Sequence, residues 1–297
     1  MFSSLKSKSV LALLLVAAMI FLVGCGGTDT NGDAEETTGG AEESKEITIG
    51  YVPWDCAIAS THVMKTVLED AGYTVNLLDP SAALLYQGLA EDDIDFITTA
   101  WLPFTHGNYM EQYGDQIDDL GSNFGGDAVL ALVVPEYMDI DSIEDLDGDI
   151  ADGVITGIDP GAGIMGATEA LIEDYGLDYE LLEGSDAVMA AALSDAIDNE
   201  EEIVVTGWSP HWKFGRWDLK MLEDPKESLG AIEDIHTLAR QGLAEDMPEA
   251  YSIINNFHWE DTDIATVMDM NSEGMDPNES ARIWVDENQD KVAEWLN

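Results

Sequence analysis

The chain has 297 residues and a very acidic composition, with 61 Asp and Glu against 11 Lys and Arg and a formal net charge of −50 at pH 7. Acidic residues recur along the whole length, and this much negative charge excludes nucleic acid as a partner. Such self-repulsion destabilises a compact domain unless concentrated salt screens it, so the composition is typical of a saline habitat. No calcium loop of the Asp-x-Asp-x-Asp-Gly type is present.

The N-terminus has the pattern of an export signal. Lys6 and Lys8 precede an apolar run over residues 10–23, which is short for a membrane span, and a Gly-Cys pair ending at Cys25 follows at once. We predict a lipoprotein signal peptide over residues 1–24 with the lipid on Cys25; a plain secretory peptide and an uncleaved anchor are the alternatives. The protein is then expected at the extracytoplasmic face of the cell membrane, held by its lipid anchor.

Residues 25–45 are rich in Gly, Thr, Asp and Glu and cannot bury a core, so we predict a flexible acidic tether there. Cys56 is the one cysteine beyond Cys25, and packing alone must therefore hold the exported domain together. Because Cys56 follows Trp54 closely, it is either a nucleophile or, as is more common for such a cysteine, a small buried apolar residue.

The first half of the domain alternates strands and helices. This βαβαβ order predicts a parallel, doubly wound sheet. The predicted strands cover residues 47–52, 74–78 and 95–100, and the predicted helices cover residues 57–71 and 82–90.

A second α/β unit follows an apolar strand at residues 128–135, which is a candidate crossing between two lobes. Within that unit and after it, we predict strands at 153–158 and 202–206, helices at 164–175 and 187–197, a return crossing at 235–238, and amphipathic helices at 248–256 and 281–296.

A chain that passes out to a second unit and back predicts two lobes with a cleft between them. Clefts of this kind close around small ligands by hinge motion. We predict that residues 46–130 and 236–297 form the first lobe and that residues 131–235 form the second.

Three tryptophans each lie near a proline at the end of a short apolar run: Trp54, Trp101 and Trp208. Because proline has no N–H and cannot continue a central strand, these positions should mark where strands pass into loops. Strand ends are where α/β folds place their ligands. Several indole faces in one cleft suit a methylated ammonium cation. Trp259, Trp284 and Trp295, near the C-terminus, are predicted to lie in the core.

Residues 161–166 read Gly-Ala-Gly-Ile-Met-Gly, a literal G-x-G-x-x-G between a predicted strand and a predicted helix. A periplasmic NAD-binding enzyme is the function that this motif alone would suggest. The motif is not limited to nucleotides, because free N–H groups at a helix start bind any anion, including a carboxylate.

His106 and His211 each follow a Trp-Pro segment closely, where an imidazole can donate a hydrogen bond to a carboxylate or simply face solvent. The sequence has no hydrolase, Walker-loop or kinase motif, so it predicts no catalysis, no metal and no cofactor. The remaining histidines lack metal-ligand spacing and are predicted to be structural: His62, His236 and His258.

Four segments in combination resemble the glycine betaine-binding lipoproteins of osmoprotectant ABC importers: residues 50–55, 100–106, 156–163 and 206–212. The similarity runs from about residue 46 to the end, and the combination is more specific than any single motif. It implies an α/β, two-lobed, periplasmic-binding-protein-like fold (type II) with the ligand in the interlobe cleft.

The resemblance also implies the ligand-binding residues. Trp54, Trp101 and Trp208 fall at the positions that form a cage around the ammonium group. The positions that bind the ligand carboxylate fall on the His106 side chain and on the backbone amides of Gly163 and Ile164. Gly157 and Ile158 are the alternative amides, and the roles of Tyr86, His211, Trp212 and Trp217 stay open.

The function implied by the resemblance is that of a solute-binding protein, not an enzyme, that captures glycine betaine or a related betaine for osmoprotectant uptake. Its expected partners are the ligand, the ABC permease and the membrane through the lipid anchor. A receptor for choline, carnitine or ectoine is the alternative, and the NAD-binding enzyme is a more distant one.

Overall fold

The computed structural model describes residues 45–297. The predicted signal peptide, Cys25 and the predicted tether up to residue 44 lie outside the described residues. Lys45 is described, and its Nζ lies 3.1 Å from the Glu249 carboxylate and 4.3 Å from the centre of the Tyr73 ring. None of the helices in the described range has the length and hydropathy that a bilayer span requires.

The first lobe is built on a five-stranded sheet with the order β2-β1-β3-β10-β4. Strands β1, β2 and β3 are parallel, as predicted, but β10 is antiparallel to both β3 and β4. The parallel order predicted from the first half of the domain is therefore confirmed for these three strands, and the sheet as a whole is mixed because the returning chain enters it in the opposite direction. The strand bounds are β1 Glu46–Gly50, β2 Thr74–Leu78, β3 Phe96–Leu102, β4 Ile117–Ser122 and β10 Asp234–Arg240.

The second lobe is built on another five-stranded sheet, with the order β7-β6-β8-β5-β9. It is mixed in the same way: β6 is parallel to β7 and β8, whereas β5 is antiparallel to β8 and β9. The strand bounds are β5 Val129–Pro135, β6 Val154–Thr156, β7 Glu180–Leu182, β8 Val204–Ser209 and β9 Leu219–Met221.

Helices cover the sheets, and α1 packs against α9 and α10. The single helix predicted for residues 281–296 is two helices in the structure, which separate at Asn288. The helices are α1 Asp55–Asp70, α2 Ala82–Ala90, α3 Gly107–Tyr113, α4 Gly163–Tyr175, α5 Asp186–Asn199, α6 Lys213–Arg216, α7 Leu243–Asp246, α8 Pro248–Asn256, α9 Asp261–Ser272, α10 Pro277–Glu287 and α11 Gln289–Trp295, with short 3-10 helices at Gly114–Gln116, Ile143–Asp145 and Ile150–Gly153.

An aromatic cluster fills the core of the first lobe beneath the last helices. Trp284 stacks on Trp295 with ring centres 5.8 Å apart, and Trp259 meets Trp284 edge to face at 6.1 Å. All three side chains are at most 2% exposed. These tryptophans are core residues, in agreement with the prediction from sequence.

Two chain segments, residues 123–128 and 222–233, cross between the sheets. They pair with each other where Glu233 N–H donates to the Ala128 carbonyl at 2.8 Å. Strand β5 begins at Val129, two residues before the predicted start of the second lobe at residue 131. Strand β10 begins at Asp234, two residues before the predicted return to the first lobe at residue 236. The two crossings hold the lobes side by side and leave a cleft between them.

Candidate ligand-binding site between the two sheets

A cavity between the lobes is lined by all six residues that the sequence analysis placed in the site. It encloses about 320 Å³, including the space at its opening. Neither lobe contains the whole site, so the cavity exists only where the lobes meet. The first lobe contributes Trp54, Cys56, Trp101, Thr105 and His106, and the second contributes Leu130, Ile158, Ala162, Gly163, Ile164 and Trp208.

The three tryptophans reach the cavity from the ends of regular elements. Trp54 directly precedes α1, while Trp101 and Trp208 are each the penultimate residue of a strand, β3 and β8. A proline follows shortly after each strand, and the strands end there because proline cannot donate to the ladder. The three side chains are 4–7% exposed. The three indole side chains therefore line the cavity with little access to solvent outside it.

His106 is held in one orientation by the backbone at the end of β3. Its Nδ1 accepts a hydrogen bond from the Trp101 N–H at 2.9 Å, and its ring stacks on Trp54 at 5.9 Å between centres. Burial lowers the pKa of His106 to about 4, so the ring is neutral at pH 7. Because Nδ1 accepts, the proton lies on Nε2. The cavity wall thus carries a neutral N–H donor of fixed direction.

Tyr86 lies behind this histidine and does not line the cavity. Its ring centre lies 5.6 Å from that of His106. The Tyr86 ring also stacks on the Tyr109 ring, with 4.7 Å between their centres. Tyr86 is 1% exposed, and burial raises the pKa of its hydroxyl well above the usual value. In the described cavity, Tyr86 supports the ring of His106 and does not form part of the wall.

The start of α4 brings two free backbone donors to the cavity. The N–H groups of Gly163 and Ile164 have no acceptor among the described residues. Those of the alternative pair are occupied, since Gly157 donates to the Leu182 carbonyl at 2.8 Å and Ile158 to the sulfur of Met165 at 3.2 Å. Unpaired N–H groups and the positive end of the helix dipole favour an anion at this helix start.

The two lobes approach each other closely at Gly163. A Cβ at this position would collide with the carbonyl oxygen of Thr105, so only glycine allows the loop of the first lobe to reach α4. Next to it, the Tyr109 hydroxyl donates to the carbonyl of Gly161 at 2.9 Å across the cleft. The first half of the G-x-G-x-x-G, residues 161–163, is therefore a site of close approach between the lobes.

Cys56 lines the cavity as a buried thiol. It is 2% exposed, and burial together with nearby carboxylates raises its pKa to about 12. A thiol with this pKa is protonated at neutral pH and is a poor nucleophile. Its position agrees with the apolar interpretation of this cysteine.

A second group of polar residues lies beside the cavity, and we call Asp55, Asp186, His211 and Lys213 the charge cluster. Asp55 is partly exposed and the other three are buried. The Asp55 backbone N–H donates to Asp186 Oδ2 at 3.0 Å, and His211 Nε2 lies 3.5 Å from Asp186 Oδ1. Lys213 Nζ lies 4.7 Å from the centre of the Trp208 ring and has no hydrogen-bond partner among the described residues. The cluster joins α1 of the first lobe to α5 and α6 of the second.

Burial shifts the pKa values of the charge cluster. It raises the pKa of Asp55 to about 6, with the charge of Asp186 acting in the same direction. It lowers the pKa of Lys213 to about 8 and that of His211 to about 4. For Asp186, burial opposes ionisation, but the His211 ring and the Lys213 ammonium hold its pKa below the usual value. At pH 7 Asp186 and Lys213 are therefore charged, His211 is neutral, and Asp55 is largely ionised as well.

Three members of the cluster, Asp55, Asp186 and His211, place possible metal-ligand atoms within 4.8 Å of one another. The buried ammonium of Lys213 interacts with both carboxylates and already supplies positive charge there. A metal ion would have to bind against that charge, so we interpret the cluster as an internal ion network.

The cluster accounts for two residues whose roles the sequence left open. His211 Nδ1 accepts from the Lys213 N–H at 3.2 Å, which turns the ring towards Asp186 and away from the cavity wall. Trp212 is buried, and its Nε1–H donates to the Asp55 carboxylate across the cleft. Sequence reasoning missed Asp186 and Lys213. The rarity of basic residues was the available signal for Lys213.

The family model for the substrate binding domain of ABC-type glycine betaine transport systems matches residues 45–287. The chain belongs to this family. A curated relative is the glycine betaine/carnitine transport binding protein GbuC of Listeria monocytogenes serotype 1/2a (strain 10403S), which is 48% identical over 160 residues. That match spans 53% of this chain and 53% of the relative, about half the length of each.

Solved structures agree with this family. Lactococcal OpuAC, in its closed-liganded conformation with glycine betaine, superposes with a TM-score of 0.83 at 39% identity, covering 86% of this chain and 100% of that one. The glycine/betaine/L-proline-binding protein ProX from Borrelia burgdorferi gives a TM-score of 0.82 at 37% identity, covering 85% and 97%. The two-lobed type II fold expected from the sequence is confirmed.

Proposed function

We propose that this protein captures glycine betaine, or a closely related betaine, in the cleft and delivers it to the permease of an ABC importer. The cavity carries this proposal, because it combines three indole side chains with neutral hydrogen-bond donors and contains no charged side chain. A zwitterion that is cationic at one end and anionic at the other matches both halves of that lining.

Trp54, Trp101 and Trp208 take the ammonium end in this proposal. A quaternary ammonium cannot donate a hydrogen bond, so aromatic faces must replace its hydration. Each desolvated face offers roughly 0.5–2 kcal/mol. Three faces and a bonded carboxylate can supply about −8 kcal/mol after the costs of association, which corresponds to micromolar affinity.

The carboxylate end is assigned to His106 Nε2–H and to the N–H groups of Gly163 and Ile164. His106 belongs to the first lobe and the two amides to the second, so a ligand carboxylate bridges the lobes. Because the ligand contacts residues of both lobes, it should stabilise the closed cleft.

Calorimetric titration with glycine betaine, proline betaine, carnitine, choline and NAD tests this function. We expect micromolar binding of a betaine, weaker binding of choline because it has no carboxylate, and no heat with NAD. Failure of all three carboxylate-bearing ammonium ligands to bind at millimolar concentration would contradict the proposal. Saturable binding of NAD would instead favour the enzyme suggested by the G-x-G-x-x-G.

The membrane location is part of the proposal. We infer that Cys25 carries the lipid and that the domain works at the extracytoplasmic face, where a binding protein meets its permease. Cys25→Ser should move the protein from the membrane fraction to the soluble extract, with Cys56→Ser as the matched control that stays in the membrane. Retention of the Cys25→Ser protein in detergent-free membranes would favour an uncleaved anchor.

A further inference from the structure

Glu233 is a buried carboxylate that the ligand cavity does not include. It is 3% exposed and lies in the crossing segment 222–233, immediately before β10. Its own N–H is fixed by the Ala128 carbonyl of the other crossing at 2.8 Å. Glu233 therefore occupies the point where the two connections between the lobes meet.

The carboxylate of Glu233 reaches the loop between β3 and α3. Its Oε1 accepts from the backbone N–H groups of Phe104, at 2.5 Å, and Thr105, at 2.8 Å. Its Oε2 accepts from the Thr105 hydroxyl. These three donors compensate the loss of hydration at a buried carboxylate.

The loop held in this way carries the polar half of the proposed ligand site. His106 follows Thr105 directly and is oriented by the Trp101 N–H at the other end of the same turn. Thr105 lines the cavity itself and approaches Gly163 of the opposite lobe. A displaced loop would move the His106 Nε2–H and open the contact with α4 together.

We propose that Glu233 is a positioning residue for ligand binding: from the crossing between the lobes it fixes the loop 103–106, and so the direction in which His106 donates. The inference rests on the proposed function for the role of His106, and it adds a group that does not touch the ligand. It also links the site to the crossing segments, because Glu233 belongs to one of them and its N–H donates to Ala128 of the other.

The state of the His106 ring tests this proposal without any ligand. In ¹⁵N NMR of the imidazoles, with His106→Gln to identify the signal, the wild-type ring should titrate near pH 4 as the Nε2–H tautomer. Glu233→Ala should raise this pKa by about one unit or more, as the loop opens to water, and should mix the tautomers. Glu233→Gln keeps an acceptor for the two backbone N–H groups, so its His106 pKa and tautomer should stay close to those of the wild type.

Asp263→Ala is the matched control, because Asp263 is also a buried carboxylate that accepts a backbone N–H, from Glu260 at 2.7 Å, but lies in α9. It should lower stability and leave the His106 signal unchanged. If Glu233→Ala does not fold, Glu233→Asp replaces it, since the shorter side chain cannot reach the loop. An unaltered His106 pKa and tautomer in the Glu233 variants would overturn the inference.

Binding assays separate this inference from the proposed function. Glu233→Ala should weaken glycine betaine about tenfold, and Glu233→Gln should restore affinity to within about threefold. If the wild type binds no betaine, the proposed function fails, while the NMR result still decides the role of Glu233. If the wild type binds and Glu233→Ala binds equally well, only the inference about Glu233 is wrong.

Discussion

The ligand cavity and the charge cluster lie next to each other between the same two lobes, and each contains a buried histidine with a pKa near 4. Around His106 the neighbouring groups are neutral and the ring is fixed by a backbone N–H. Around His211 lie two carboxylates and an ammonium, and two of these groups have pKa values of about 6 and 8. The cavity is thus pre-organised and insensitive to pH near neutrality, whereas the adjacent contact between the lobes is sensitive to it.

The strongest way to break the cavity is to remove one wall of the aromatic cage. Trp208→Ala should lose about 2–3 kcal/mol of binding free energy, or about 30- to 150-fold in Kd for glycine betaine, because a cation–π face is lost and water enters. Trp54→Ala and Trp101→Ala should each lose about as much binding free energy, since the cage requires both lobes. Titration calorimetry measures the effect.

Trp284→Phe is the control for the cage variants, because Trp284 is equally buried but packs in the core of the first lobe. It should reduce thermal stability and leave the Kd of the folded protein unchanged. A Trp208→Ala protein that binds glycine betaine as well as Trp284→Phe does would exclude the cage.

His106→Ala tests the polar end of the cavity. Loss of a hydrogen bond to a charged group should cost about 1.5–3 kcal/mol, or about 10- to 150-fold in Kd, for any carboxylate-bearing ligand. Choline has no carboxylate, so its affinity should hardly change. His211→Ala is the matched variant on the cluster side and should affect both ligands alike. Equal losses for betaine and choline in His106→Ala would contradict the assigned role.

The cavity was predictable from the sequence because its residues lie in local patterns. Trp101 and Trp208 precede prolines, and Gly163 starts a helix after a short strand, so each signal fits within a few residues. Asp186 and Glu233 have no such signal: they are two among 61 acidic residues, and their partners Asp55 and Thr105 are more than 120 positions away in the chain. Only the folded structure shows which acids are buried.

The fold shows the same division between local and long-range information. Strand β2 and helices α2 and α8 have their predicted bounds, since each is set by its own periodicity and flanking residues. Strand β9 was missed because it has three residues, each half-buried, and its pairing with β5 is long-range. The direction of β10 likewise depends on the return from the second lobe, which no local pattern records.

The charge cluster gives a prediction for pH. Asp55 has a pKa of about 6 where the lobes touch, and an ordinary carboxyl value of 3.8 if opening returns it to solvent. Because the closed form holds the Asp55 proton more tightly than the open form, protonation of Asp55 stabilises closure. This stabilisation is complete below pH 3.8 and is lost as the pH rises through 6. The affinity for glycine betaine should therefore fall about tenfold between pH 5 and pH 7. His211 titrates below this window and Lys213 above it.

Asp55→Asn isolates this effect, because the amide resembles the protonated acid and keeps an oxygen for the Trp212 N–H. The variant should bind with nearly constant Kd from pH 5 to pH 7, at about the acid affinity of the wild type. Asp119→Asn, at an exposed surface pair with His236, should keep the wild-type slope. A wild-type slope in Asp55→Asn would show that another group controls closure.

Among these perturbations, salt should change the Kd for glycine betaine least, but it should clearly change the stability of the folded protein. The net charge of −50 is spread over the surface, so self-repulsion acts on the folded state as a whole, and molar salt should raise the melting temperature by screening it. The cavity lining has no charged side chain and the proposed ligand carries no net charge, so Kd should vary less than about threefold between 0.2 and 2 M KCl. Calorimetry across that range, with melting curves in parallel, separates the two effects. A Kd that follows the melting temperature would mean that surface repulsion, and not the contacts inside the cleft, limits how far the lobes close.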